Sequence, residues 1–301
     1  MIPLPNARAR PKERGSWTKT DRKAEGEDKI IIAEHYSSPK KWLNGDEWDT
    51  VMNYCAFMDP LNDFLVGVDK HSENANYELI GNGAAFWRSI NAARAEMPEP
   101  SYMIAMNELD NHDHSRFLTR TNRVVGRLGD KTSEEAEEGT DPAVFRQAVL
   151  LQFTWPGAPT IYYGDEAGMC GWTDPDCRRP YPWGRENRDI MEFYRGITRV
   201  HAESEVLRRG NIHPLIMDDD IVAYARSYKG KSAIIVLHTG DKIMRTHIPV
   251  WLAGIKPGDV LRRCALTDAY GYDNGTADSI CDSREMYVEL LPKSAMVFIQ
   301  L

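Results

Sequence analysis

Up to about residue 205 the chain alternates short apolar runs with helical patterns, and beyond that point the helical patterns stop. The runs Ile30–Ala33, 51–57, Tyr102–Met106 and Thr160–Tyr163 read as strands. Between them, a Gly81-Asn82-Gly83 turn leads into a helix over Ala84–Ala95. Asp141-Pro142 opens another, with Asp as N-cap and Pro in the first turn, and with Val144, Ala148 and Leu151 on one face. A third runs over Arg188–His201, where Ile190, Phe193, Tyr194, Ile197 and Val200 keep the helical period. A further helix is expected over Ser16–Ala24. Strands alternating with helices imply βαβ units and a parallel sheet. After residue 205 the runs Ile221–Arg226, Ser232–His238, Met244–Val250, Met286–Leu291 and Ala295–Leu301 follow one another, with a hairpin turn at Lys229-Gly230-Lys231. That pattern predicts a small antiparallel β-sandwich.

Two carboxylates stand where apolar runs end: Glu34 after Ile30–Ala33, and Asp113 at the end of residues 102–113. Acids at the C-terminal ends of buried strands are where a (β/α) barrel places catalytic groups. Glycoside hydrolysis needs a proton donor for the leaving oxygen and negative charge beside an oxocarbenium-like sugar. The plain readings of the same residues are a helix cap for Glu34 and a hydrogen-bonded turn for Asn111-His112-Asp113.

A net charge of -8 excludes a general nucleic-acid binder, which needs a basic surface. No apolar run approaches the ~18 residues of a membrane span. The basic segment Met1–Trp17 has no apolar stretch of the secretory kind. Five cysteines (Cys55, Cys170, Cys177, Cys264 and Cys281) show no C-x-x-C pair and read as reduced thiols. A cytoplasmic location is therefore expected. His35, His71, His114 and His201 lack metal-ligand spacing, and no metal or cofactor is assigned.

Four stretches together resemble the α-amylase superfamily (glycoside hydrolase family 13), most closely its neopullulanase, cyclomaltodextrinase and amylopullulanase members. They are residues 33–36, 42–54, 111–117 and 156–166; a fifth, Thr173–Pro180, is similar to the loop after the last barrel strand. The resemblance covers roughly residues 30–205. It implies a retaining hydrolase of α-1,4 glucosidic bonds in maltodextrins, cyclodextrins or pullulan, with α-1,6 bonds left open as a further option. Glu34 would be the general acid/base and Asp113 the carboxylate that stabilises the transition state. His112, Asn111, His35 and Trp42 would contact the sugar. Calcium is common in the superfamily, but no ligand cluster here is assigned to it. Asp165 and Glu166 are expected to bond a neighbouring loop, and Asp174, Asp176, Arg178 and Arg179 to form an ion-pair network. Trp172 and Trp183 are expected to pack.

The departure from the family is the nucleophile. It should lie one βα unit, or roughly 30 residues, before the acid. Counting back from Glu34 reaches Met1–Asn6, which holds no Asp. The expected fold is therefore α/β: the C-terminal half of a (β/α)8 TIM barrel over 1–204, then a β domain over 205–301. Its expected partners are an α-glucan and either a homodimer mate or the missing N-terminal half. The rival expectation is a carbohydrate-binding module or a split-enzyme half without its own catalysis.

Overall fold

The computed structural model describes residues 29–301; the helix expected over 16–24 and the stretch Met1–Asn6 lie outside the described residues. Four short parallel segments pair in chain order: β1 (Ile32–Ala33), β2 (Thr50–Val51), β3 (Met106–Asn107) and β4 (Ala158–Pro159). Ile32 lies opposite Thr50, a bridge joins Met52 to Met106, and Met106 lies opposite Ala158.

These segments are shorter than the apolar runs suggest, and each difference has a local cause. In 51–57 the chain leaves the sheet after Met52 and winds into a π-turn over Tyr54–Met58, which buries Tyr54, Phe57 and Met58. Much of the Tyr102–Met106 run is not strand. Pro100 sits in the first turn of a short helix, Glu99–Tyr102, which buries the Tyr102 ring completely. Thr160–Tyr163 is also not a strand; pairing occurs two residues earlier, and the rings of Tyr162 and Tyr163 turn to cover the Arg116 guanidinium at 4.0 and 5.0 Å.

Gly157 sets the β3–β4 junction. Its φ is +122°, and a Cβ there would lie 2.6 Å from the Ala105 carbonyl oxygen. Both facts exclude a side chain. Gly157→Ala is expected to destabilise the protein by more than about 1 kcal/mol, read as a lower urea midpoint.

The three longest helices among the described residues, α1 (Gly83–Arg94), α2 (Pro142–Thr154) and α3 (Arg188–Glu203), share one apolar core. Each begins with a side-chain cap: Asn82 accepts from Ala85 N–H, Asp141 from Ala143 and Val144, and Asn187 from Ile190. Helix α3 is amphipathic as its spacing predicts, with Ile190, Phe193, Tyr194 and Ile197 buried. Helix α2 is not: every residue after Pro142 is buried, so the single apolar face expected for it is too narrow. It lies between the parallel strands and the β region, and its polar side chains close neighbouring backbone. Gln152 donates to the Asn107 and Thr160 carbonyls, Gln147 to those of His238 and Ser294, and Arg146 to the Asp268 carbonyl.

The C-terminal region is antiparallel throughout. Strands β5 (Asn211–Asp218), β6 (Ile221–Tyr228), β7 (Lys231–His238), β9 (Val260–Asp268), β10 (Gly271–Asp273), β11 (Ala277–Ile280) and β13 (Ala295–Gln300) form one seven-stranded sheet. Strands β8 (Met244–Ile248) and β12 (Met286–Leu290) form a separate pair. The β6–β7 turn at Lys229-Gly230 has φ of 48° and 77°, as a tight hairpin requires. One face of the sheet packs on the β8–β12 ribbon through Ile234, Val236, Ile248, Val288 and Phe298. The other face joins the helices in one core with Trp87, Trp155, Phe193, Tyr224 and Val297. The second layer is thus only a two-stranded ribbon. The sequence reading omitted β5, β9, β10 and β11.

Candidate active site

The chain leaves β1 into residues 34–36 and leaves β3 into the loop 108–116, so both loops open at the same end of the parallel strands. Glu34 and Asp113 therefore meet. The ligand atoms of Glu34, His112 and Asp113 all lie within 4.8 Å of one another. The Tyr36 hydroxyl stands between the acids, 3.3 Å from Glu34 Oε1 and 3.4 Å from Asp113 Oδ2. Burial and the two negative charges push its pKa up to about 12, so it remains a donor. Tyr54 stacks under Tyr36 at 4.9 Å, and its hydroxyl lies 3.5 Å from Glu34 Oε1. Arg178 reaches Asp113 Oδ1 at 3.3 Å, beside His112 Nε2 at 3.4 Å. Arg178 Nε also donates to the His112 carbonyl at 2.9 Å, which pins the late loop to the end of β3.

Below this open layer lies a buried one. The Asn111 amide donates to the Tyr54 oxygen at 2.8 Å and to Glu108 Oε2 at 3.2 Å, and its oxygen accepts the Asp113 N–H at 3.0 Å. Asn111 is 3% exposed and its polar atoms are committed, so the expected sugar contact is corrected to a positioning contact. Glu108 is buried too. Its burial raises its pKa from 4.5 to about 7, and neighbouring Asp110 and Glu34 add to the effect against the Asn111 hydrogen bond. Because the folded-state pKa is raised, the stability contribution is complete below about pH 4.5 and is lost as pH rises through about 7. Glu108→Gln is expected to flatten stability across that window by on the order of 2 kcal/mol, read from urea midpoints against pH.

Deeper still, Arg116 joins two acids with no exposure to solvent. It donates to Asp165 Oδ1 at 2.8 Å and lies 3.7 Å from Asp110 Oδ1. Burial opposes the Arg116 charge, but the two acids outweigh it and hold its pKa above the usual value. Burial also raises both Asp110 and Asp165. Asp165 thus serves the loop as expected, and Glu166 accepts the Gly164 N–H at 2.9 Å.

The other expected residues divide. His35 bonds Ser37 at 2.9 Å and tilts against Trp48 at 5.3 Å. Trp42, expected at the sugar, is half-buried; it stacks on Trp48 at 5.2 Å, and Lys41 lies over its ring at 4.2 Å. Trp172 packs, with Nε1 donating to the Thr132 carbonyl. Trp183 does not pack; it is 81% exposed, with Tyr181 at 4.5 Å. Arg179 pairs with Asp176 and Glu137 and Arg178 with Asp174 at 2.8 Å, as expected of the network, while Arg178 also reaches Asp113. Tyr36, Tyr54, Glu108 and Arg178 were not singled out from sequence as site residues; Tyr36, Tyr54 and Arg178 lay within family-like stretches, and Glu108 lay outside them. All five cysteines are free thiols. Glu34, His112 and Asp113 are close enough to surround a cation. Asp113 is already met by Arg178, His112 and Tyr36, and no metal is assigned there. No helix among the described residues is long and apolar enough to cross a membrane.

The α-amylase catalytic domain profile matches residues 6–211, more than half of the chain. The chain belongs to the α-amylase family. Among curated proteins it is 35% identical over 220 residues to neopullulanase 2 of Thermoactinomyces vulgaris, a match covering 71% of this chain and 33% of the relative. It is 33% identical over 224 residues to amylopullulanase of Thermoanaerobacter thermohydrosulfuricus, covering 70% and 15%. Among solved structures it aligns with the debranching enzyme of Nostoc punctiforme at TM-score 0.72 and 25% identity, over 93% of this chain and 54% of that one. It aligns with the cyclic α-maltosyl-(1→6)-maltose hydrolase of Arthrobacter globiformis at TM-score 0.68 and 26% identity, over 94% and 52%. These α-amylase-fold neighbours combine a barrel with a β domain. The chain spans about half the length of its structural neighbours and a third or less of these two curated relatives.

Proposed function

We propose that this chain carries the acid/base half of a retaining α-glucan glycosidase site. The observation that carries the reading is the meeting of Glu34 and Asp113 at one end of the parallel strands, under a shared tyrosine hydroxyl. Glu34 protonates the glycosidic oxygen and later takes a proton from water. Asp113 supplies negative charge beside the oxocarbenium-like sugar, and exposed His112 hydrogen-bonds its hydroxyls. The nucleophile comes from another segment, arriving along the free side of β1. Family relatives with names such as neopullulanase and amylopullulanase support α-1,4 and α-1,6 glucans as the substrate class.

On this reading residues 1–204 are the second half of a (β/α)8 barrel and 205–301 its β domain. The inner face of the strands supports it. Ile30, Ile32 and Ile104 are 53%, 39% and 41% exposed, where a closed barrel would fill its interior with such side chains. Within the described residues β1 and β4 each pair on one side only. The test is to mix the chain with the upstream half-barrel of neopullulanase 2 and follow maltodextrin hydrolysis. Reducing sugar released first as the α-anomer supports the reading. A well-formed mixed barrel that binds maltodextrin without cleaving it favours the carbohydrate-binding alternative.

A further inference from the structure

Glu108 is an acid that solvent barely reaches, at 6% exposure, directly after β3. An apolar residue would fill such a place without the cost of burying a carboxyl group. The carboxyl group is instead the start of a directed chain. Asn111 donates one N–H to Glu108 Oε2 and one to the Tyr54 oxygen, which leaves the Tyr54 O–H to donate toward Glu34 Oε1 at 3.5 Å, a stronger acceptor than the Met52 sulfur at 3.3 Å. Asn111 has no freedom to turn, because its oxygen holds the Asp113 N–H.

We propose that Glu108 is a positioning residue for Glu34, acting through Asn111 and the Tyr54 hydroxyl. The proposal rests on the reading of Glu34 as the acid. Ionised Glu108 accepts from Asn111 and fixes the direction of the whole chain. Protonated Glu108 still accepts from Asn111 through its carbonyl oxygen, but without the negative charge that hydrogen bond is weaker, and the hold on the Tyr54 hydroxyl loosens with it. Glu108 faces Asp110 from its own loop, Glu34 from the end of β1 and Tyr54 from the turn after β2. Glu34 in turn faces Tyr36, Tyr54, His112 and Asp113. Burial places the Glu108 ionisation at about 7, inside the range where such an enzyme works.

The experiment is a carboxyl-carbon NMR titration of the full chain labelled at glutamate, with Glu34 assigned through Glu34→Gln. In the wild type the Glu34 signal is expected to show a step near pH 7 that tracks Glu108. Glu108→Gln removes that step. Tyr54→Phe also removes it, although the Glu108 signal itself still titrates; this second variant carries the test if Glu108→Gln fails to fold. A wild-type Glu34 signal without the step overturns the proposal, as does a step that survives in Tyr54→Phe. The titration does not depend on hydrolysis. An inactive completed barrel with the step intact would overturn the catalytic reading and leave the coupling standing.

Discussion

In a completed barrel, Glu34→Gln lowers kcat on maltodextrin by on the order of 100- to 10,000-fold, the usual contribution of a positioned general acid. Glutamine keeps the size of the side chain and still accepts the Tyr36 hydroxyl, which lies 3.3 Å from Glu34 Oε1. What it loses is the proton. KM is therefore expected to change little, since the sugar contacts proposed for His112 and Asp113 remain. An aryl α-maltoside, whose leaving group departs without protonation, should lose much less in its first step than maltodextrin does. Equal losses on both substrates would remove the acid role from Glu34. Steady-state rates on the two substrates check this.

Arg116→Ala is expected to cost about 3–5 kcal/mol of stability, because it leaves buried acids without their counter-charge. Arg116 holds Asp165 at 2.8 Å, lies 3.7 Å from Asp110 and donates through Nε to the Cys177 carbonyl at 3.0 Å. It also ties the loop beginning at Gly164 to the loop that ends β3. A thermal midpoint lower by roughly 10 °C follows for a chain of this size. Slackening that loop should also free Arg178 from Asp113, which it meets at 3.3 Å. A drop of less than about 1 kcal/mol by calorimetry would show that the acids discharge themselves by protonation and need no guanidinium.

Much of the architecture could be read from periodicity, and most of the errors arose where periodicity had too little chain to act on. Helix α3 shows its apolar positions over sixteen residues, enough for the helical period to be plain. The parallel segments are two residues each, so alternation never repeats, and neighbouring apolar residues were read as strand. Tyr102 belongs to a helix end, and Tyr162 to the cover of Arg116. Strand β11 is exposed along its length and has no buried face to mark it. Helix α2 hid its surroundings in another way: its spacing showed one apolar face, and its glutamines and arginine, which close buried carbonyls, gave no sign of burial.

At the site, chemistry and family likeness pointed to Glu34, His112 and Asp113, and the fold brings these three side chains together. Asn111 was assigned to the right loop but the wrong side of it. A loop residue past a two-residue strand has no alternation to say which way it faces, and Asn111 turns inward to Tyr54 and Glu108. Trp42 carried the composition of a sugar platform, and Trp48, six residues on, stacks on it. Arg178 sat within an expected ion-pair network, and only the fold brings it across to Asp113.

The most direct test is reducing-sugar release from maltodextrin by residues 1–301 alone, with Glu34→Gln alongside. On the proposed reading, in which Glu34 is the acid, Asp113 the stabilising carboxylate and the nucleophile comes from another segment, neither protein is expected to release anything above the buffer. Release by the wild-type chain that vanishes in Glu34→Gln would contradict this account, since it would mean that the chain supplies its own nucleophile.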